Sequence, residues 1–149
     1  MAGKLCRHFQ SFVIIKHIKM DYSVFYTELG RLSYAIARAD GIVQTEEVDK
    51  ICEFIGQEIE STGSEDHNRR EAVFGAATEF NKLRKNNASA REAFTGFTGY
   101  VDLNLQAFDL RMKNLCIRIA MRIASASEGV NETESALISK LKKKLDAIN

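Results

Sequence analysis

The sequence predicts an all-α fold, a single-domain helical bundle of six to seven helices with two pseudo-symmetric helix-elbow-helix units. Three observations predict it. From Tyr22 onward apolar residues recur at helical spacing almost without a break, and no segment shows the two-residue alternation of a strand. The 149 residues contain no proline, the residue most damaging to a helix interior. A chain of this length suits one domain, and 45% apolar with 28% charged residues excludes a disordered tail or a disulfide scaffold.

The elements follow in order. Phe25, Leu29, Leu32, Ile36 and Ala39 form the first apolar stripe, which stops at Asp40-Gly41. Thr45 is the expected N-cap of the second helix, with Glu46 and Glu47 in its first turn and Val48, Ile51, Cys52, Ile55 and Ile59 facing inward. After a loop, Ser64 is expected to cap a third helix whose inner face is Val73, Ala76, Ala77, Phe80 and Leu83. Ser89-Ala90-Arg91-Glu92 has the pattern of a capping box and opens a short helix through Ala93, Phe94, Phe97 and Tyr100, weakened by Gly96 and Gly99. Leu105, Phe108, Met112, Leu115, Cys116, Ile119, Ile123 and Ala126 define one long helix of roughly six turns. Thr133 is expected to cap the last helix, which buries Leu137, Ile138, Leu141, Leu145 and Ile148.

Residues 1–20 form a leader and 21–149 the helical domain. The leader carries Lys4, Arg7, Lys16 and Lys19 and no acid, and places Leu5, Phe9 and Phe12 at helical spacing. Three readings of it stay open: a loosely packed helix, an amphipathic anchor, or residues upstream of a true start at Met20. Its apolar run is interrupted by Lys16 and His17, so it is neither a signal peptide nor a transmembrane segment. Residues 21–66 carry a net charge of −8 and residues 67–149 a net charge of +5, against +1 for the whole chain. That balance does not point to nucleic acid. Cys6, Cys52 and Cys116 are widely separated, without a zinc-binding pattern, and read as reduced thiols of a cytoplasmic protein. His8, His17 and His67 read as solvated, and no nucleophile, base or cofactor fingerprint suggests an enzyme.

An internal repeat carries the chemistry. Ala39-Asp40-Gly41-Ile42-Val43-Gln44-Thr45-Glu46 recurs 88 residues later as Ser127-Glu128-Gly129-Val130-Asn131-Glu132-Thr133-Glu134. Each copy follows one amphipathic helix and precedes another, so packing the two units about a pseudo-twofold axis brings both elbows to one end. Glycine and threonine have structural explanations as turn and cap. Asp40 and Glu128 sit at helix C-termini, where an anion costs about 0.3–1 kcal/mol unless compensated. A divalent metal ion, its identity open, held by Asp40, Glu46, Glu128 and Glu134 is one compensation. An Asx-turn at Asp40 with the other acids solvated is the alternative.

On Ile36-Ala37-Arg38-Ala39-Asp40-Gly41 with Glu46, and Glu128-Gly129 with Glu134, the chain resembles the TerB-like family of tellurite-resistance domains. The resemblance covers roughly Tyr22 to Ile148. It implies an all-helical fold, metal binding at the four acidic positions, and a non-enzymatic interaction or scaffold role in a bacterial stress response. Glu128 and Ser127 depart from the family's usual Asp and Ala. A second class of function is binding to an anionic surface, nucleic acid or membrane, through Arg118, Arg122, Lys140, Lys142, Lys143 and Lys144, although lysines also suit the end of a last helix. The protein partner is not specified by the sequence, and homodimerisation through an apolar face stays open.

Overall fold

A computed structural model describes residues 20–63, 67–126 and 131–148. Among these residues it contains six α-helices: α1 (Tyr22–Ala39), α2 (Thr45–Ser61), α3 (Arg69–Lys85), α4 (Ala90–Leu103), α5 (Leu110–Ala126) and α6 (Glu132–Asp146). A short 3-10 turn, Leu105–Ala107, links α4 to α5. The all-α bundle expected from periodicity is the observed fold. No described helix is long and apolar enough to cross a membrane. The leader, the Ser64 cap and the Glu128-Gly129 elbow lie outside the described residues.

The hub is α1. Asp21 caps its start, accepting from the backbone of Ser23 and Val24. Beyond the first turn almost every side chain of α1 through Ile36 is buried, because α3, α4, α5 and α6 all pack against it. At Gly30 the approach is close: an added β-carbon would stand 2.2 Å from the carbonyl oxygen of Ala76 on α3. Helix α2 packs on α3 and α5. Polar groups carried into the core find partners: Ser33 donates to the Leu29 carbonyl, and Tyr34 donates to the Ala88 carbonyl at 2.6 Å. Arg31 bridges Glu28 and Glu79 on α3, while Glu28 Oε1 is buried without a hydrogen-bond partner.

Several boundaries differ from expectation. Helix α2 starts after Gln44, making Thr45 its first helical residue instead of its cap; the Glu47 carboxylate accepts from the Gln44 N–H at 3.1 Å and closes that end. Asn68 caps α3 by accepting from Glu71. Asn131 and Glu134 form a reciprocal capping box, so α6 starts two residues ahead of a Thr133 cap. The expected long helix is shorter at its start. Asp109 accepts from the Met112 N–H at 3.0 Å, starting α5 at Leu110 and leaving Leu105 in the 3-10 turn, exposed instead of core. Ser89 caps α4 as expected.

Two glycines make a controlled comparison. Gly30→Ala drives a β-carbon into the backbone of α3 and is expected to lower unfolding free energy by about 1–3 kcal/mol. Gly99→Ala, in α4 with open space around it, is expected to raise it by about 0.5–1 kcal/mol. Denaturant unfolding checks both, and equal effects would reject the close α1–α3 contact.

Candidate functional site

The first elbow is built by termination of α1. Asp40 is its C-cap, and Gly41 follows at φ +136°, a backbone conformation that a side chain would strain. The chain thereby turns into α2. The second elbow leads into α6, and Asn131 caps that helix while reaching back across the bundle. Its side-chain amide donates to Asp40 Oδ1 at 2.8 Å, which sets the start of α6 against the end of α1. This contact answers part of the electrostatic problem at Asp40: a neutral amide dipole now faces an anion at a helix C-terminus.

Beneath that contact lies a cavity of about 180 Å³ lined by Ala37, Asp40, Glu47, Lys50, Ile51, Ile123, Ala126 and Glu134. Glu134 is 1% exposed, contrary to the solvated alternative for the elbow acids. Burial pushes its carboxyl above the ordinary value of 4.5; the hydrogen bond from the Asn131 backbone opposes this, and the nearby Asp40 charge adds to it.

The structure brings together Asp40 and Glu134 of the four predicted acids. Glu46 is exposed and does not line the cavity, and Glu128 lies outside the described residues. Glu47 takes the place assigned to Glu46. The repeat aligns Glu46 with Glu134, but the two helices start one residue out of step relative to it. The structurally equivalent third-position glutamates are therefore Glu47 and Glu134. A cap-x-x-Glu reading, Gln44 to Glu47 and Asn131 to Glu134, is the sequence signal that finds this pair.

The donor set is all oxygen, carboxylates with a neighbouring Asn, which suits a hard divalent cation better than a soft one. Lys50 contributes a competing positive charge on the wall. Among the described residues no group of three or more His, Cys, Asp or Glu side chains is close enough to hold a metal ion.

The basic set is divided. Arg118 and Arg122 bind Glu58 on α2, at 2.9 and 3.5 Å, and Arg122 also donates to Gln57 and stacks 4.4 Å over the Phe54 ring. They tie α5 to α2. Lys144 pairs with Asp102 on α4, which leaves Lys140, Lys142 and Lys143 exposed on α6. His67 is not simply solvated: its Nδ1 is 3.0 Å from the Tyr26 hydroxyl, and its ring packs edge-on to Tyr22. Cys116 is buried and Cys52 partly buried, and burial pushes both thiols up.

No protein-family model, curated protein or solved structure matches the chain.

The buried glutamate has a measurable consequence. A carboxyl whose pKa is raised by folding contributes stability that is fully present below its unfolded value and lost as pH rises through the raised value. Glu134→Gln keeps the acceptor for the Asn131 N–H and cannot ionise. Its unfolding free energy is expected to fall less steeply than that of the wild type as pH rises from 4.5. Glu28, shifted in the same direction, is present in both proteins and cancels in the difference. Parallel stability curves would count against a strained Glu134.

Proposed function

We propose that the chain is a TerB-like, non-enzymatic helical module, a divalent-metal-responsive interaction or scaffold protein acting in the cytoplasm in a bacterial stress response of the tellurite-resistance type. The observation that carries this reading is the cavity between the elbows, where Asp40, Glu47 and the buried Glu134 share one small space. Its volume, about 180 Å³, is below the roughly 300–1,000 Å³ of organic-ligand pockets and of a size for a hydrated ion. Asp40, Glu134 and, by resemblance, Glu128 are the residues that would hold the cation. When bound, it would supply charge neutralisation and a link between the α1–α2 and α5–α6 units. An ion at this end changes how the two units are held together, which is a means of presenting or withdrawing a protein-binding surface.

The anionic-surface alternative rests on Lys140, Lys142 and Lys143, since Arg118, Arg122 and Lys144 have partners within the chain. Salt-sensitive retention on heparin or anionic liposomes would favour it.

The deciding experiment is thermal melting with Ca²⁺, Mg²⁺, Mn²⁺ and Zn²⁺ in turn, for the wild type and for Asp40→Asn combined with Glu134→Gln. One ion is expected to stabilise the wild type by about 2.7 kcal/mol at a hundredfold excess over its Kd, and the double variant is expected to lose that gain. If no ion moves either melting curve, the metal-responsive reading fails and the elbows are structural turns.

A further inference from the structure

Helix α3 carries a large aromatic side chain that the core does not take in. Phe74, in the first half of that helix, is 74% exposed. Its ring stands between two grooves and lines both, one of about 780 Å³ against α2 and one of about 560 Å³ against α1. The larger groove is also lined by the half-buried Cys52, Val73 and Ala77, so the ring heads an apolar strip and is not a lone surface residue. The two ends of this groove differ in charge. Gly56 of α2 lies on the side chains of Arg69 and Val73, and from there the groove runs toward Asp49 along α2 and Ala77 along α3. Arg69 and Arg70 therefore mark one end and Asp49 the other. Arg69 is engaged with Glu60 at 2.8 Å. Arg70 and Asp49, both exposed, join no ion pair among the described residues.

We propose that this face of α3 is a twofold interface between two copies of the chain, in which Phe74 of each copy enters the α2–α3 groove of the other. A twofold contact uses one patch twice, so the patch must carry both halves of every interaction. This one does. It supplies a knob, Phe74, beside a hole with room for a phenyl ring, and a base at one end of the groove with an acid at the other. Two α3 helices laid antiparallel across the axis set Arg70 of each copy near Asp49 of the other, closing two ion pairs that a single copy leaves open. A patch meant for an unrelated partner has no need of its own complement. Aromatic anchors seated in pockets are the residues that dominate such contacts. None of Phe74, Arg70 and Asp49 lines the cavity at the elbows, and the interface needs no ion there.

The test is sedimentation velocity of the full chain with EDTA present, which separates it from the ion-binding reading. The wild type is expected to pass from monomer to dimer between about 1 μM and 1 mM, the affinity range of a modest interface. Phe74→Asp is expected to weaken association by about tenfold or more while the melting temperature stays nearly unchanged, since the ring is exposed. Arg70→Glu and Asp49→Arg are each expected to weaken it as well, because each sets like charges together twice in its own dimer. An equal mixture of these two chains is expected to recover most of the lost affinity, since both pairs then join opposite charges. A pair acting within one chain could not be restored by mixing. A wild type that stays monomeric at about 1 mM would overturn the proposal. So would a dimer that survives Phe74→Asp, which places the interface elsewhere, or a mixture of the two charge variants that associates no better than either alone.

Discussion

The absence of a side chain at Gly30 lets the backbones of α1 and α3 come together at Ala76, and the bundle is organised around that contact. With α3 this close, α1 loses its solvent-facing side and becomes an interior helix, covered in turn by α4, α5 and α6. An interior helix must satisfy its polar groups internally. Tyr34 does so through the Ala88 carbonyl and Ser33 through its own helix, while Arg31 pairs with glutamates on α1 and α3 and leaves its own Nε and Glu28 Oε1 buried without a hydrogen-bond partner. The ends of α1 inherit different tasks. Its start is surrounded by aromatic rings from α4 and the α4–α5 connection, while its end projects Asp40 toward the other elbow.

At the elbow end, stability and charge are in tension. Glu134 is useful to the fold as the capping residue of α6, accepting from Asn131 while Asn131 accepts from it. The same position buries a carboxyl beside the exposed Asp40. A surface cap would do its work without that cost, so this cap stands where anything that offsets negative charge also stabilises the packing of α6. Lys50 and the Asn131 amide offset part of it. The α2–α5 interface, by contrast, is closed by ion pairs of Arg118 and Arg122 with Glu58.

Much of the helical pattern was legible in the chain. The apolar stripe Phe25, Leu29, Leu32 and Ile36 is buried, as are Ile51, Ile55 and Ile59 of α2 and Leu115, Cys116 and Ile119 of α5. Such stripes are local consequences of 3.6-residue periodicity. Helix starts were harder, because Thr45, Thr133 and Ser64 are all acceptable caps by residue type while the chain can use only one per helix. Asn131 prevailed because a glutamate stands three residues on. His67 read as solvated because its neighbours in sequence are polar, but its actual neighbours, Tyr22 and Tyr26, come from α1.

The candidate site divides along the same line. Sequence alone determined the helical class, the repeated acidic elbow, the glycine after Asp40 and the presence of carboxylates at the start of the helix that follows each elbow, since all of these follow from residue type and spacing within a few turns. Tertiary structure decided which carboxylates share a space: Asp40 joins Asn131 across 91 positions of sequence, Glu47 replaces Glu46, and the arginines of α5 turn to Glu58. The physical reason is range. Periodicity and capping are energies of neighbouring residues along one helix, whereas the meeting of Asp40 with Asn131 depends on how α1, α5 and α6 pack, which no local stretch of sequence specifies.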